Sequence, residues 1–531
     1  MPHAADASPD ASLRRRWFAE AARDVQLTRA LLASGLGFIY LVGFAILIEQ
    51  GLPLLGEHGI MPLARFLERV RAGSQSGSEA FWAVPSLFWL SASDVVLQAA
   101  SWVGAALGLA VVLGFGNAPA MFVLWALYGS FVHAGQTFYG YGWEMLLLEA
   151  GFLGIFLVPP WRPLRELCWP RRAPPAAGAL RVPPLLVIWL FRWLTFRVMF
   201  GAGLIKLRGD SCWTDLTCLV YHYETQPNPH PLSWLLHQAP PWFHAIGVLL
   251  NHFVEVVVPF GVFGPRRLRH WAGGFTVAFQ VILILSGNLS FLNWLTLVVA
   301  LGCFDDTFWR RLIPAAWLRW ARDDAAAPLG RVERIVCLVL VAAIALLSIN
   351  PVANLLSPRQ QMNAGFDPLH LVNTYGAFGS VSRERHEVVL EGASAPAGAS
   401  EDALDWKEYE FPCKPGDPLR APCLVTPYHY RLDWQMWFAG LSRADRQPWI
   451  FNLVYKLLSG DRGVASLLRH DPFPDAPPTY VRASLYRYEF THFGEQGWWH
   501  RTRLGTYLPP LRRDDPRLLD ALDRLGWAPE R

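Results

Sequence analysis

The feature that most constrains this chain is the apolar run 183–205, which has the length of a membrane crossing and yet carries Arg192 and Arg197. A charge at bilayer depth costs several kcal/mol unless it is paired or wetted, so both arginines call for acidic partners on neighbouring spans. The run closes with Lys206, Arg208 and Asp210, and the chain then enters a loop dense in Trp, Tyr, His and Pro. That composition suits a recognition surface at a membrane edge.

Composition sets the class. Of 531 residues 53% are hydrophobic and 14% aromatic, with 25 Trp, and the mean hydropathy is +0.22. This is too apolar and too aromatic for an ordinary soluble protein, and a polytopic α-helical membrane protein is expected. The net charge is only +4, and no basic tract interleaves with aromatics, so nucleic acid is not an expected partner.

Nine apolar segments approach the roughly 20 residues that a helix needs to cross a bilayer. They are 30–48, 95–115, 118–137, 141–158, 183–207, 242–263, 268–286, 289–304 and 332–349. The polar N-terminal thirty residues hold Arg14, Arg15, Arg16, Arg23 and Arg29 and lack a small-residue cleavage site, which reads as an uncleaved signal-anchor with a cytoplasmic N-terminus. With that start, the loops carrying Arg162 to Arg181, Arg266 to Arg269 and Arg310 to Arg331 all fall inside, as the positive-inside rule asks. The resulting division is a cytoplasmic segment 1–29, a membrane domain 30–349 and an extracytoplasmic domain 350–531. Between the first two spans, 63–70 reads as amphipathic, and the aromatic run 81–90 is too short to span, so that it either dips in or lies flat.

Beyond residue 350 the pattern changes to α+β. Segments 386–391, 407–411, 480–491 and 498–504 read as strands and 431–439, 449–458 and 461–469 as helices, while the Ala/Gly/Ser/Pro stretch 393–402 reads as a flexible loop. Four of the seven cysteines fall outside in two close pairs, Cys212 with Cys218 and Cys413 with Cys423. An oxidising exterior would let each pair close a small loop; four free thiols are the alternative.

Residues 199–234, MFGAGLIKLRGDSCWTDLTCLVYHYETQPNPHPLSW, resemble the signature of the lipase maturation factor family. NTYGAFGSVSRERHEVVLEG (373–392), YHYRLDWQMWFAG (428–440) and VRASLYRYEFT (481–491) resemble that family's outer-domain motifs. The resemblance implies a membrane protein that helps secreted lipases fold and assemble, in the endoplasmic reticulum membrane of a eukaryote or the cytoplasmic membrane of a bacterium. Residues 201–207 with Asp210 and Trp213 also resemble, more distantly, the membrane domain shared with vitamin K-dependent gamma-carboxylases.

Helix depth at about 1.5 Å per residue matches Arg197 with Glu149 and Arg192 with Glu255, which suggests two intramembrane charge pairs. Lys206 is the residue a membrane enzyme acting on a lipid or quinone-like substrate would use as a base; the competing expectation is an interfacial lysine that snorkels into water. Arg208, Asp210, Trp213, Tyr221, His222, Tyr223 and Glu224 are the expected client-binding residues, presented by a loop that Pro227, Pro229 and Pro231 stiffen. His222, His230, His237 and His244 do not line up for a metal, because Pro240 and Pro241 break any helix that would align the last two. No metal or other cofactor is expected. The chain contains no G-x-S-x-G elbow, P-loop or H-E-x-x-H. The expected partners are the membrane and a secreted lipase or other exported client.

Overall fold

The computed structural model describes residues 24–164, 182–314, 328–394 and 404–527. The arginines up to Arg23, Cys168 and most of the expected loop 393–402 lie outside them.

Each of the nine apolar segments contains a helix among the described residues, and six are long and apolar enough to cross a membrane: Gln26–Leu55, Asp94–Phe115, Leu185–Arg208, Pro241–Phe263, Arg266–Ser286 and Arg331–Leu356. Ala118–Ala134 has 17 residues and Gly142–Leu157 has 16, and Leu292–Cys303 is shorter still. Length therefore supports six spans, and the count of nine is not established. These three helices still alternate in direction with the long ones. Leu164 N–H donates to Gly116 O and Ala118 N–H to Pro159 O at one end, whereas Gln435 reaches Thr137 at the other.

The arginine-rich end is tied together. Asp306 accepts the backbone N–H groups of Gln26 and Leu27, and Asp305 is bonded to Arg269 and Arg266. The opposite end carries the C-terminal domain, called the outer domain after the side expected from the sequence. The central helix, Leu185–Arg208, is the most enclosed of the long six. Trp102, Ile246, Trp271 and Leu338 are exposed on outer helices, as expected of side chains that face lipid.

Between the first two long helices, Leu63–Gly73 forms a short amphipathic helix with Leu63 and Leu67 inward. The aromatic run that follows is the end of the seven-residue helix Gly77–Ala83 and a 3-10 turn, Leu87–Trp89. It packs Phe88 on Phe131, ring centroids 4.7 Å apart.

The outer domain is built on a four-stranded antiparallel sheet of order β2-β1-β3-β4. Its strands are β1 (Arg385–Ala393), β2 (Lys407–Glu408), β3 (Tyr480–Phe490) and β4 (Trp499–Leu511). β2 is shorter than expected because the chain leaves the ladder after Glu408 and Glu410 bridges to His470 instead. β4 continues past the expected end and accommodates Pro509 and Pro510 because it is an edge strand. Helices Arg431–Gly440 and Trp449–Leu458 stand where the sequence predicts them, and the third shrinks to Arg462–Ala465. The buried core runs without a break from Leu36 and Leu194 in the membrane helices to Leu390, Trp434 and Leu453 in the outer domain.

Candidate functional site

The central helix and the loop after it form a socket, and residues 360–388 fill it. At mid-depth Arg197 is ion-paired with Glu149, and Glu149 also accepts the N–H of Asn373 at 3.0 Å and the hydroxyl of Tyr375 at 2.7 Å. The chain that follows the last long helix thus descends into the membrane domain. Gly201 makes room for it, since a Cβ there would stand 2.5 Å from the carbonyl oxygen of Tyr375.

One expected pair is corrected. Arg192 does not meet Glu255; its Nε donates to Gly302 O at 2.8 Å and its guanidinium lies over Trp189. Glu255 meets Lys206 instead. A π-turn at Phe253–Val257 carries Glu255 toward the central helix, and Gly203 allows the approach because a Cβ there would lie 3.0 Å from the backbone carbon of Glu255. Lys206 Nζ donates to both oxygens of Glu255, at 2.6 and 2.7 Å, and to Asn251 Oδ1 at 3.0 Å. All three ammonium hydrogens are thereby used. Lys206 is only 5% exposed, so the snorkelling expectation is also corrected: the carboxylate comes to the lysine, and the lysine does not reach for water.

Above this pair, most of the residues expected to face a client are bonded to or packed against the outer domain of the same chain. Arg208 donates to Leu355 O and to Gln360. Asp210 accepts both Nη atoms of Arg383, at 3.0 and 2.7 Å, which holds its carboxyl down to about 2. Trp213 is buried with its indole N–H on Phe378 O at 2.8 Å, and Tyr221 lies beneath Arg383. His222 packs edge-on against Phe378, and burial together with the nearby Lys206 charge pushes its imidazole down to about 4. Tyr223 is buried beside His244. Glu224 accepts the N–H of Phe490 at 2.6 Å; burial lifts its carboxyl to about 7, against the pull of that hydrogen bond. The expectation of an aromatic loop open to a partner is therefore corrected for Trp213, His222, Tyr223 and Glu224. A buried donor or acceptor needs a partner, and for Trp213 and Glu224 the outer domain supplies it.

Three residues that sequence reasoning passed over do most of the joining. Arg385 is fully buried at the start of β1 and donates to the carbonyls of Glu224, Gln226 and Pro227 while pairing with Glu387, which in turn holds Lys414. Arg431 pairs with Glu144 at 2.8 Å and stacks on Tyr139, 3.5 Å from the ring centroid. Asn288, at the end of a membrane helix, donates to Cys423 O and accepts the N–H of Val425. A signal was present: charges at buried positions of an apolar strand or helix, as in Arg-His-Glu-Val-Val-Leu, need partners from elsewhere. The disulfides Cys212–Cys218 and Cys413–Cys423 close the loops on either side of this joint, with Cα atoms 4.7 and 5.3 Å apart. Among the described residues no group of His, Cys, Asp and Glu could hold a metal ion.

What stays open is an apolar patch where Pro231–His237 meets the β3–β4 turn. Trp234 anchors it through Thr491 O and contacts Phe493 and Trp498, with centroids at 5.1 and 5.2 Å. Phe493 is 64%, Leu235 49% and Leu419 69% exposed. Leu419 joins the patch beside Gly497.

Residues 27–311 match the model of the lipase maturation factor transmembrane domain and residues 371–509 that of the lipase maturation factor C-terminal domain. The chain belongs to the lipase maturation factor family. It is 47% identical to lipase maturation factor 1 of Bos taurus over 92% of this chain and 90% of that protein, and 44% identical to lipase maturation factor 1 of Homo sapiens over 92% and 89%. Lipase maturation factor 2 of Homo sapiens is 31% identical over 94% and 85%. No solved structure matches. Across the two lipase maturation factor domains, Glu144, Glu149 and Glu224 on one side meet Arg431, Asn373 and Arg385 on the other.

Proposed function

We propose that this chain acts as a membrane-held maturation factor for a secreted lipase or another exported client, assisting its folding, assembly or export without chemistry of its own. The observation that carries the reading is the apolar patch of Trp234, Leu235, Leu419 and Phe493, held rigidly beside the membrane by the Arg385 joint in a chain whose relatives are named for lipase maturation. An exposed apolar patch of this kind suits transient cover of apolar surface on a partner that has not finished assembling. The arrangement supports an extracytoplasmic outer domain and a cytoplasmic N-terminus, since the described arginines Arg266, Arg269, Arg310 and Arg311 stand at the opposite end from the sheet. The membrane is that of the endoplasmic reticulum in a eukaryotic cell and the cytoplasmic membrane in a bacterium.

Deleting the protein and measuring the specific activity of an exported lipase tests the proposal. Lipase of lower activity per molecule, with secreted mass largely kept, supports maturation; unchanged specific activity removes it.

A further inference from the structure

A cleft of about 650 Å³ opens where the outer ends of Gln26–Leu55 and Asp94–Phe115 meet the Asp461–Gly463 turn of the outer domain. We propose that it binds the headgroup of a zwitterionic phospholipid drawn from the surrounding outer leaflet. The proposal is independent of the client reading.

The walls are charged in a pattern that fits such a headgroup. Glu49, Asp94 and Asp461 line the cleft together with Arg462, His58 and Gln98. Arg462 is exposed, and its guanidinium has no protein partner among the described residues. It is the natural contact for a phosphate, because guanidinium hydrogens match phosphate oxygens in pairs. Each carboxylate is already fixed in place: Glu49 accepts the Tyr428 hydroxyl, Asp94 the N–H of Glu57, and Asp461 both the N–H of Val464 and the ammonium of Lys456. Glu49 Oε1 and Asp94 Oδ2 are left over for an ammonium group. Asp461 is balanced by Lys456, so Glu49 and Asp94 against Arg462 leave the cleft net negative, which disfavours an anionic lipid and favours one that carries its own cation.

The second observation is what lies beneath. Gln98 is followed one helical turn deeper by Trp102, on the same face and 57% exposed, and Val95 beside it is 78% exposed. On the other wall Ile48 and Leu52 are half-buried and turned to the cleft. The cleft lies where the apolar run of Gln26–Leu55 gives way to Glu49, the level at which the proposal places the outer headgroups. A polar cleft above an apolar, lipid-exposed stripe matches a molecule with a charged head and acyl tails, and its volume lies in the range of small-molecule sites. Because Arg462 belongs to the outer domain, a lipid bound here would bridge the two domains.

The test uses the full chain in nanodiscs containing phosphatidylcholine or phosphatidylglycerol with a photoreactive diazirine in the acyl chain. The expected result is at least threefold stronger labelling of the peptide around Trp102 by the phosphatidylcholine probe, reduced to the phosphatidylglycerol level by Arg462→Glu. Arg462 is exposed and unpaired, so the variant should fold; Gln98→Ala serves as a second, milder change expected to lower labelling in the same direction. Equal labelling by the two lipids, or labelling indifferent to Arg462→Glu, overturns the proposal. A third arm titrates free phosphocholine onto the detergent-solubilised protein. Binding of phosphocholine with no headgroup preference among the lipid probes would reassign the cleft to a soluble phosphate ester and overturn the lipid assignment.

Discussion

Lys206 and Glu255 form an ion pair of 2.6 Å at the outer end of the central helix, with both side chains almost wholly withdrawn from solvent. The pair bears on two roles for Lys206. A catalytic base must present a free nitrogen to its substrate, and this nitrogen is fully occupied by Glu255 and Asn251. The geometry fits a structural lock between the central helix and Pro241–Phe263.

Removing one member of such a pair strands the other. Lys206→Ala and Glu255→Leu should each lower stability by about 3–5 kcal/mol, whereas Lys206→Met with Glu255→Leu should recover much of that loss. Melting of the purified protein in detergent, scored alongside lipase maturation in cells, makes the comparison. Single variants that fold normally but abolish maturation would point to chemistry at Lys206.

Arg385 should be the residue on which docking of the outer domain most depends. Arg385→Ala uncovers the carbonyls of Glu224, Gln226 and Pro227 and leaves Glu387 with Lys414 alone, and Arg385→Lys cannot span three carbonyls and a carboxylate. Both variants should expose residues 350–527 to limited proteolysis at least tenfold faster than the parent. Equal cleavage rates would mean that the joint is held elsewhere.

Glu224 gives the joint a pH dependence. Its carboxyl is raised from 4.5 to about 7 by burial, so the folded protein holds this proton more tightly than the unfolded chain does. Stability from this group is present below about pH 4.5 and is lost as pH rises toward 7, by up to ~3 kcal/mol. Glu224→Gln keeps an acceptor for Phe490 N–H and removes the titration. Its melting temperature should equal the parent's near pH 5 and exceed it at pH 8. A constant difference across that range would show that Glu224 does not titrate in this window.

The helices and the sheet were legible because apolar period and turn residues are local properties, whereas the number of helices that cross was not. Pairing was legible only where helix depth sufficed, as for Arg197 with Glu149. It failed for Arg192 and Glu255 because depth alone cannot foresee a π-turn that turns Glu255 toward Lys206. The loop Tyr221 to His230 misled for a different reason. Aromatic and proline-rich composition is the same whether a surface recognises another protein or the chain's own second domain, and only the buried Arg385 tells the two apart.

The two disulfides bracket the joint. In intact protein Cys212, Cys218, Cys413 and Cys423 should resist thiol alkylation until a reductant is added. Labelling of those four positions without reductant, counted by peptide mass, would refute the pairing.

The most direct test of the client surface is complementation of a strain or cell line lacking the protein with a Leu235→Asp, Phe493→Asp variant. Both side chains are exposed, so membrane abundance should match the parent's, while the loss of two apolar contacts should cut the specific activity of the secreted lipase several-fold. Full lipase activity per molecule with this variant at normal abundance would contradict the account.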